Sequence, residues 1–394
     1  MSGNDVVVVG AGISGLSFAH YAAAAGRQVT VLEASDRPGG CIRSERLDTG
    51  YWFEMGAHTC YNSYGLFIEL IEACGLMERL LPRAKVSFRM LRDGELQSVM
   101  AQVGLTEAAS HAWRMPFLSK QDRTVEQYFS ALVGKRNYAR FLGQFLAAVP
   151  CQRADAFPAD MLFKKRPRRT DVLRSFTLDG GLQTLCDALA ARDEIDVRTG
   201  TSVEAVEALG DHYSLRTSDG AALTAQVVAI ATPAGVAATL LAGIAPAAGD
   251  ALAGVGTAEV ESTGVVVRAD AVSLPALAGI VPAQDIFRSA VSRDVVADPN
   301  WRAFTFHFPA GVARADRLER IAGVIGVPQS AFEAVADGRA SLPSPVLGHA
   351  ATVAAVDDAL AGGRVALTGN YFAGLALEDC ISRSHAEAQR TLAV

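Results

Sequence analysis

Residues 5–15 read DVVVVGAGISG, and this stretch decides the fold. Its first five residues predict a short buried parallel strand, and its glycines follow the spacing GxGxxG. The alanine-rich stretch 13–25 predicts a helix that Gly26 is placed to end, and residues 28–32 predict a second strand that delivers Glu33. Because strand, glycine turn, helix, strand and acid follow one another in this order, we predict a dinucleotide-binding unit.

Each residue of this motif has a physical task on a dinucleotide. Gly10 permits the tight turn, Gly12 lets the backbone approach a pyrophosphate, and Gly15 lets the helix pack closely on the strand. The helix N-terminus offers free N–H groups and the positive end of its dipole to phosphates. Glu33 is suited to accept hydrogen bonds from ribose hydroxyls, and its charge disfavours the 2′-phosphate of NADP. The alternative is a glycine-rich surface turn with a chance glutamate.

A second glycine pair decides between FAD and NAD. A plain NAD enzyme usually continues with another strand and helix, whereas residues 33–44 here read EASDRPGGCIRS. Gly39 and Gly40 allow close backbone approach to a ligand, and Arg43 supplies a fixed charge beside it. Residues 48–58, DTGYWFEMGAH, follow with aromatic and small residues. The segment EASDRPGGCIRS resembles the glycine-rich segment of the FAD-dependent amine oxidase and protoporphyrinogen oxidase superfamily.

The other end of the chain carries a matching segment. Residues 364–368, RVALT, predict a strand, and residues 369–381, GNYFAGLALEDCI, predict a turn leading into a helix that runs to the terminus. In the superfamily this helix directs its N-terminus at the pyrimidine edge of the flavin, where its dipole stabilises the negative charge of reduced flavin. The order of residues most resembles protoporphyrinogen oxidases. A glycine-rich cap on an ordinary terminal helix is the alternative.

Two segments in the middle of the chain resemble the same superfamily. Residues 175–189, SFTLDGGLQTLCDAL, resemble the return of the chain into the FAD domain. Residues 196–206 predict strand, turn and strand, and the family places the backbone at Val203 against the adenine end of the cofactor; an ordinary hairpin is the alternative. Residues 226–231 predict a strand before the turn Thr232-Pro233, which superfamily members place beside the FAD domain.

The resemblance implies an α/β fold: a Rossmann-like FAD-binding domain assembled from separated segments, with a mixed-sheet substrate domain and a helical lobe. The segments are separated because the glycine clamp and the closing helix lie at opposite ends of the chain. Helical patterns at 124–132 and 137–149 support the lobe, and apolar runs at 264–268 and 303–308 support the substrate sheet. We predict FAD-binding parts at residues 1–80, 178–250 and 345–394, substrate-domain parts at 81–97 and 251–344, and the helical lobe at 98–177.

The resemblance also implies FAD as the cofactor and a set of residues that contact it. These residues lie in the first turn, at its acidic partner, in the second glycine segment and at the start of the last helix. The expected contacts are Gly10, Gly12, Ile13, Ser14, Gly15, Glu33, Ala34, Gly39, Gly40, Arg43, Gly56, Ala57, Val203, Thr232, Gly369, Asn370, Gly374, Leu375 and Ala376.

A reaction of the protoporphyrinogen oxidase type follows from the resemblance. A hydride leaves a saturated carbon between pyrroles for flavin N5, a pyrrole N–H proton is lost, and oxygen is the expected electron acceptor. Because the pyrrole nitrogens stabilise the developing cation, orientation over the flavin is expected to suffice without a protein base. No catalytic side chain is therefore assigned, and a structural role is expected for His58.

Two alternatives to this reaction stay open. One is an amine oxidase or desaturase acting on another biosynthetic metabolite, and the other is a non-catalytic FAD-binding protein. Flavin amine oxidases generally carry a lysine near flavin N5, and no lysine follows Lys165, which weakens the amine branch. Protoporphyrinogen oxidases carry a proline-containing segment whose arginine is thought to contact a propionate of the substrate. This chain lacks that segment after residues 92–96, so the sequence leaves the identity of the substrate undecided.

Composition sets the remaining expectations. The net charge of −6 gives no reason to expect nucleic acid as a partner. Six cysteines without CxxC or metal-ligand spacing favour reduced thiols, no metal and a cytoplasmic protein, with Cys41 as a buried packing residue. The polar N-terminus does not resemble a secretory signal, and the uncharged stretch 219–250 is too broken by glycine and proline for a membrane span.

One basic cluster concentrates charge in this acidic chain. Residues 164–169, KKRPRR, carry five positive charges. They could meet the carboxylates of a porphyrinogen or the anionic lipids of a membrane, which leaves a peripheral membrane contact open. A solvated loop without a ligand is the alternative.

Overall fold

The computed structural model describes residues 4–393. Two seven-stranded sheets organise these residues. The strands are β1 (Asn4–Val9), β2 (Val29–Leu32), β3 (Ser44–Arg46), β4 (Trp52–Glu54), β5 (Cys60–Tyr61), β6 (Leu80–Pro82), β7 (Phe88–Arg92), β8 (Glu95–Ser98), β9 (Ser175–Leu178), β10 (Ile195–Arg198), β11 (Val203–Leu209), β12 (His212–Thr217), β13 (Ala222–Ile230), β14 (Thr257–Arg268), β15 (Gly279–Pro282), β16 (Ser289–Ser292), β17 (Trp301–Pro309), β18 (Phe332–Pro343) and β19 (Val365–Leu367). Five of them lie outside the two large sheets: β3 and β4 form a two-stranded sheet, and β5, β9 and β6 form a three-stranded sheet.

Helices cover these sheets and build a separate lobe. They are α1 (Ile13–Ala24), α2 (Gly65–Ala73), α3 (Leu105–Ala112), α4 (Val125–Val133), α5 (Lys135–Asn137), α6 (Gly143–Ala148), α7 (Gln183–Ala190), α8 (Ala234–Leu241), α9 (Pro246–Ala253), α10 (Arg314–Ile325), α11 (His349–Leu360) and α12 (Leu377–Leu392). Among residues 4–393, no helix is long and apolar enough to cross a bilayer.

The first sheet joins strands from the beginning, middle and end of the chain. Its order is β10-β2-β1-β13-β12-β11, and β19 pairs with β13. Strand β1 runs parallel to β2 and β13, with Val6 opposite both Val29 and Val227. An uninterrupted valine run suits a parallel strand buried on both faces, and Val6, Val7 and Val8 are fully buried. The α/β fold predicted from the glycine motif is confirmed.

Helices from the two ends of the chain pack against each other on this sheet. Buried Leu16 and Ala19 of α1 lie in one core with Ile381 and Ala388 of α12. The Ser384 hydroxyl lies 2.8 Å from the Ser14 carbonyl oxygen. This contact joins the interior of α12 to the first turn of α1.

The second sheet is mixed and has two different faces. Its order is β18-β14-β17-β16-β15-β7-β8, with β15 and β7 parallel. Strand β17 alternates along WRAFTFHFP: Phe304, Phe306 and Phe308 are buried beneath α10. The intervening Thr305 and His307 lie on the opposite face of the strand, where the Thr305 hydroxyl donates to the Glu54 carbonyl oxygen of β4 at 2.7 Å. The predicted second, mixed sheet is therefore confirmed.

The helical lobe has a small core of its own. Helix α4 begins with a capping box, in which Thr124 and Gln127 satisfy each other's backbone N–H groups. The predicted helix 137–149 forms as α5, a π-helical turn at Tyr138–Leu142, and α6. Its core is made of Val125, Tyr138, Leu146, Ala154, Phe157 and Leu162.

Candidate functional site

The turn between β1 and α1 has space only for glycine at two positions. Gly10 has φ +102°, and a Cβ there would lie 2.8 Å from the Ala231 carbonyl oxygen. A Cβ at Gly15 would lie 1.9 Å from the Gly10 carbonyl oxygen, so the helix can approach the strand only without a side chain. Gly12 differs, because the nearest atom to its Cβ would be 3.9 Å away. The fold itself therefore does not require glycine at this position, and the approach of a pyrophosphate to Gly12 stays a prediction.

Glu33 closes the first turn from the end of β2. Its carboxylate accepts a hydrogen bond from the Ala11 N–H at 2.6 Å and another from the Ser35 N–H at 2.9 Å. Oε1 also accepts from the Ser35 hydroxyl at 2.7 Å, so Oε2, which accepts only from Ala11, keeps a lone pair for a ribose hydroxyl. Exposed Ala34 follows, and the Thr201 N–H donates to the Glu33 carbonyl oxygen, which holds the start of β11 at Val203 beside this site.

The second glycine pair lies against the first turn. The Gly39 N–H donates to the Ala11 carbonyl oxygen at 2.7 Å, and a Cβ at Gly40 would lie 3.1 Å from the Gly12 Cα. Gln183 at the start of α7 holds this pair by donating to the Pro38 carbonyl oxygen at 2.8 Å. The two glycine motifs therefore form one continuous cradle of backbone.

Residues after the glycine pair connect the cradle to the second sheet. The Arg43 guanidinium donates to the Asp337 carbonyl oxygen of β18 at 3.0 Å and pairs with Glu45. A Cβ at Gly56 would lie 2.4 Å from the Cys41 carbonyl oxygen, so Gly56 and the half-buried Ala57 close tightly on the turn. The expectation that Cys41 is a buried packing residue is wrong: it is exposed, because the turn at Gly39 and Gly40 directs it out of the core.

The N-terminus of α12 completes the site. Gly374 packs against Asp379, since a Cβ on it would lie 2.7 Å from Oδ2 of that carboxylate. Ala376, the residue before the helix, provides no side-chain cap, so N–H groups of the first turn stay available to a ligand. Gly369 and Asn370 begin this segment, and half-buried Leu375 ends the loop.

Two carboxylates in the first turn of α12 are bound by other groups of the protein. Glu378 accepts hydrogen bonds from the Leu66 and Phe67 N–H groups at 3.1 and 3.0 Å, which caps the start of α2. Asp379 accepts from Arg166 at 2.6 Å and from Lys164 at 3.3 Å. Their negative charges are thereby compensated beside the positive end of the helix dipole.

The basic cluster 164–169 is largely used inside the protein. Besides the pairs of Lys164 and Arg166 with Asp379, Arg169 pairs with Glu72 of α2 at 2.8 Å. The segment links the end of α2 to the start of α12, and we call residues 164–169 the clasp. Of its five cations, Lys165 and Arg168 are exposed and form no ion pair within residues 4–393.

The cradle fits a dinucleotide on the evidence of its own atoms. Backbone meets backbone at Gly12 and Gly40, where side chains would fill the groove. The Thr232 hydroxyl, next to Gly10, is buried without a hydrogen-bond partner among the described residues. Ile13 and Ser14 are buried in the first turn of α1, whose N–H groups point to the same groove. The predicted contacts at Gly10, Gly12, Gly39 and Gly40 thus lie together, whereas Arg43 is directed toward β18.

Beside the cradle, a cavity of about 20 Å³ lies between the second sheet and the small strands β4 and β9. His58, Glu54, Thr177 and Thr305 are among its lining residues. Burial and the nearby Arg83 charge lower the pKa of His58 to about 4, and burial with the His58 charge lowers the pKa of His307 to about 3. Both histidines are therefore neutral at physiological pH.

Glu54 is a buried carboxyl with a small set of partners. It accepts from the Ser44 hydroxyl at 2.6 Å and from the Leu182 N–H at 2.8 Å. Burial raises its pKa to about 7 despite these donors. It ties the second glycine segment to the start of α7.

Arg83 adds a positive charge that has no carboxylate partner. Its guanidinium donates to the Thr59 hydroxyl, next to His58. Its Nε is buried without a partner, and Arg83 forms no ion pair within residues 4–393. Burial lowers its pKa from the usual arginine value. A guanidinium so placed offers charge-assisted hydrogen bonds to an anionic group of a ligand.

Sequence reasoning missed three of these groups. The alternation of β17 could have indicated His307 as a residue on the inner face, because phenylalanines occupy the other face. Glu54 lies between aromatic residues and Gly56, where a buried carboxyl has no local signature. Arg83 follows Pro82 in a stretch without a motif, so only the packing reveals it.

Comparison with known proteins gives three findings. The family described as flavin containing amine oxidoreductase matches residues 13–262. The flavin-dependent L-tryptophan oxidase RebO of Lentzea aerocolonigenes is 28% identical over 263 residues, which cover 55% of this chain and 54% of that relative. The chain thus spans about half the length of that relative.

Two solved structures share the fold over nearly their full length. A protein of Exiguobacterium sp. 255-15 assigned as a protoporphyrinogen oxidase superposes with a TM-score of 0.81 at 19% identity, covering 99% of this chain and 98% of that one. Putrescine oxidase bound to putrescine superposes with a TM-score of 0.71 at 15% identity, covering 99% of each chain. At these identities the likeness concerns the fold alone.

Proposed function

This chain belongs to the flavin-containing amine oxidoreductase family, and from that premise we propose that it is an FAD-dependent oxidoreductase acting on a small organic substrate. The observation that carries the proposal is the convergence of both chain ends on one cradle. The GxGxxG turn and the second glycine pair form the cradle, and α12 packs on α1 beside it, with the Ser384 hydroxyl on the Ser14 carbonyl oxygen. FAD, when bound, accepts a hydride at N5 and passes the electrons to an acceptor such as oxygen.

The residues of the chain supply binding, charge and exclusion of water. The uncapped first turns of α1 and α12 would face the phosphates and the flavin end, respectively. Glu33 would hold the ribose, and Arg166 with Lys164 keeps Asp379 from opposing negative charge near α12. The neutral histidines His58 and His307 neither add nor remove charge beside the reacting region.

We propose further that the substrate carries a carboxylate and is porphyrinogen-like. Half-buried Arg83, whose Nε is fully buried, forms no ion pair within residues 4–393, and a cation partly withdrawn from water is stabilised when an anion joins it. A porphyrinogen has several propionates, and hydride loss from it needs no dedicated base. A simple polyamine has no group for Arg83. The absence of lysine after Lys165 supports this choice over an amine substrate.

An α-amino acid is the second candidate, because it also carries a carboxylate. The match to an L-tryptophan oxidase over 55% of the chain supports it. A desaturase-type substrate without a carboxylate and a non-catalytic flavoprotein are the remaining alternatives.

Substrate-dependent bleaching of the bound flavin without oxygen tests the proposal. The purified protein is mixed with protoporphyrinogen, coproporphyrinogen, L-tryptophan or putrescine, and hydrogen peroxide is measured after oxygen is admitted. Bleaching by a porphyrinogen supports the proposed substrate. Bleaching by tryptophan alone shows instead that the substrate is an amino acid. Bleaching by putrescine alone contradicts the carboxylate assignment, and no bleaching by any donor contradicts turnover.

Arg83→Gln tests the carboxylate assignment within the same assay. Loss of one charge-assisted pair should raise KM about tenfold or more, with a smaller effect on kcat. Exposed Arg174→Gln is the matched control and should change neither constant. An unchanged KM in Arg83→Gln would remove the assignment while leaving the flavin reaction intact.

A further inference from the structure

The helical lobe exposes an unusual group of large apolar side chains. Trp113 is 64% exposed, Met115 58% and Phe117 81%, all within the turn that follows α3. Phe163 is 62% exposed. Helix α3 itself contains no buried residue. Single exposed apolar residues are common, but a cluster of this size marks a contact surface.

Two separate chain segments bring these side chains to one place. The Lys120 ammonium donates to the carbonyl oxygens of Leu162 at 2.6 Å and Phe163 at 3.2 Å. Lys120 follows Phe117 by three residues, so the turn after α3 lies beside the start of the clasp. The apolar-basic patch is defined by Trp113, Arg114, Met115, Phe117, Lys120, Phe163, Lys165 and Arg168.

The charge of the patch is opposite to that of the whole protein. Residues 161–169 contain five basic and no acidic residues, whereas the whole chain carries −6. Within residues 4–393, Arg114, Lys165 and Arg168 form no ion pair, in contrast to Lys164 and Arg166. The Arg114 guanidinium lies 5.4 Å from the centre of the Trp113 ring. Aromatic rings flanked by unpaired cations are suited to the boundary between lipid tails and anionic headgroups.

We propose that the apolar-basic patch docks the protein on the surface of an anionic phospholipid bilayer. Trp113, Phe117 and Phe163 enter the headgroup region, while Lys165 and Arg168 face lipid phosphates. A second copy of this chain fits less well, since a two-fold contact through this patch would oppose cation to cation. The docking leaves the flavin cradle free, and it does not depend on the proposed reaction.

Cosedimentation of the flavin-loaded protein with vesicles tests the proposal. Vesicles of phosphatidylcholine mixed with phosphatidylglycerol are compared with phosphatidylcholine alone. We expect binding to the mixed vesicles only, and weaker binding as salt rises. Phe117→Ser with Phe163→Ser, and separately Lys165→Gln with Arg168→Gln, should each lower the partition coefficient roughly tenfold. Val236→Ser, which changes a 48% exposed residue on α8, is the control and should bind like wild type.

Tryptophan fluorescence provides a second measurement that does not depend on variants folding well. Trp113 is exposed, whereas Trp52 is buried, so insertion should shift the emission of Trp113 to shorter wavelength. Trp113→Phe should abolish that shift. No binding to mixed vesicles, or binding unaffected by the Phe117 and Phe163 changes, overturns the proposal. A dimer that both double variants dissociate, without vesicle binding, also overturns it and assigns the patch to a second copy.

Discussion

At the scale of single residues, a substitution at Gly12 can distinguish an effect on folding from an effect on cofactor binding. Its φ is −69°, and an added Cβ would meet no atom closer than 3.9 Å. Gly12→Ala should therefore change the stability of the cofactor-free protein by less than about 1 kcal/mol, yet lower flavin content at least tenfold by blocking the pyrophosphate. Flavin absorbance per protein and chemical denaturation measure the two effects.

Gly15→Ala is the informative comparison for Gly12→Ala. Its Cβ would lie 1.9 Å from the Gly10 carbonyl oxygen, so it should destabilise even the cofactor-free protein. Equal behaviour of the two variants would contradict the assignment of Gly12 to ligand approach.

Glu54 gives the pH dependence of stability a definite sign. Burial raises its folded pKa from 4.5 to about 7, so the folded protein binds the proton more tightly than the unfolded chain between these values. Its contribution to stability is complete below pH 4.5 and is lost as pH rises to 7. In Glu54→Gln this loss is absent, so wild type should lose about 3 kcal/mol relative to the variant between pH 4.5 and 8.

Denaturation of both proteins across this pH range checks the sign. The histidines titrate in both, so their contribution cancels in the difference. Exposed Glu95→Gln is the control and should follow wild type at every pH. A constant difference between Glu54→Gln and wild type would show that Glu54 is not protonated preferentially on folding.

At the scale of elements, the clasp links two helices that are distant in sequence, through Glu72 of α2 and Asp379 of α12. Asp379 of α12 is 8% exposed and takes both Arg166 and Lys164. Removing one partner of a buried pair is strongly destabilising. Asp379→Asn should therefore cost about 3 kcal/mol and release the segment 164–169, which contains four trypsin sites, since Pro167 blocks cleavage after Arg166.

Limited trypsin digestion followed by mass spectrometry measures this release. Cleavage after Lys164 and Lys165 should be faster in Asp379→Asn than in wild type. Asp171→Asn, which changes an exposed partner of Arg169, should leave the cleavage rate almost unchanged. Equal rates in all three proteins would mean that Asp379 does not anchor the clasp.

At the scale of the whole molecule, local patterns predicted the fold better than the site. Strand β1, its glycine turn and α12 carry strong local signals, because parallel strands and helix starts have fixed residue requirements. The mixed sheet was predicted from apolar runs. The burial of His307, in contrast, depends on which face of β17 packs against β4, and this is a contact between distant parts of the chain. Arg83 and the clasp pairs depend on contacts between residues far apart in sequence, such as Arg166 with Asp379. The predicted domain boundaries and FAD contacts stay predictions.

One measurement on the whole molecule can show whether both chain ends serve a single ligand. Hydrogen exchange is compared in the FAD-free protein before and after FAD is added. We expect new protection in two distant segments, residues 10–16 and residues 369–380, because both border the cradle. At a hundredfold excess over Kd, the ligand should add about 2.7 kcal/mol to global stability.

The distribution of that protection distinguishes a shared cradle from an N-terminal clamp acting alone. Protection in the first segment with none in the second would mean that α12 does not take part in binding, although its start lies beside α1. The strands of the second sheet, such as β14 and β17, serve as the internal reference, since their protection should rise only through the increase in global stability. Because Ser384 couples the two helices directly, Ser384→Ala should weaken the protection at 369–380 more than that at 10–16.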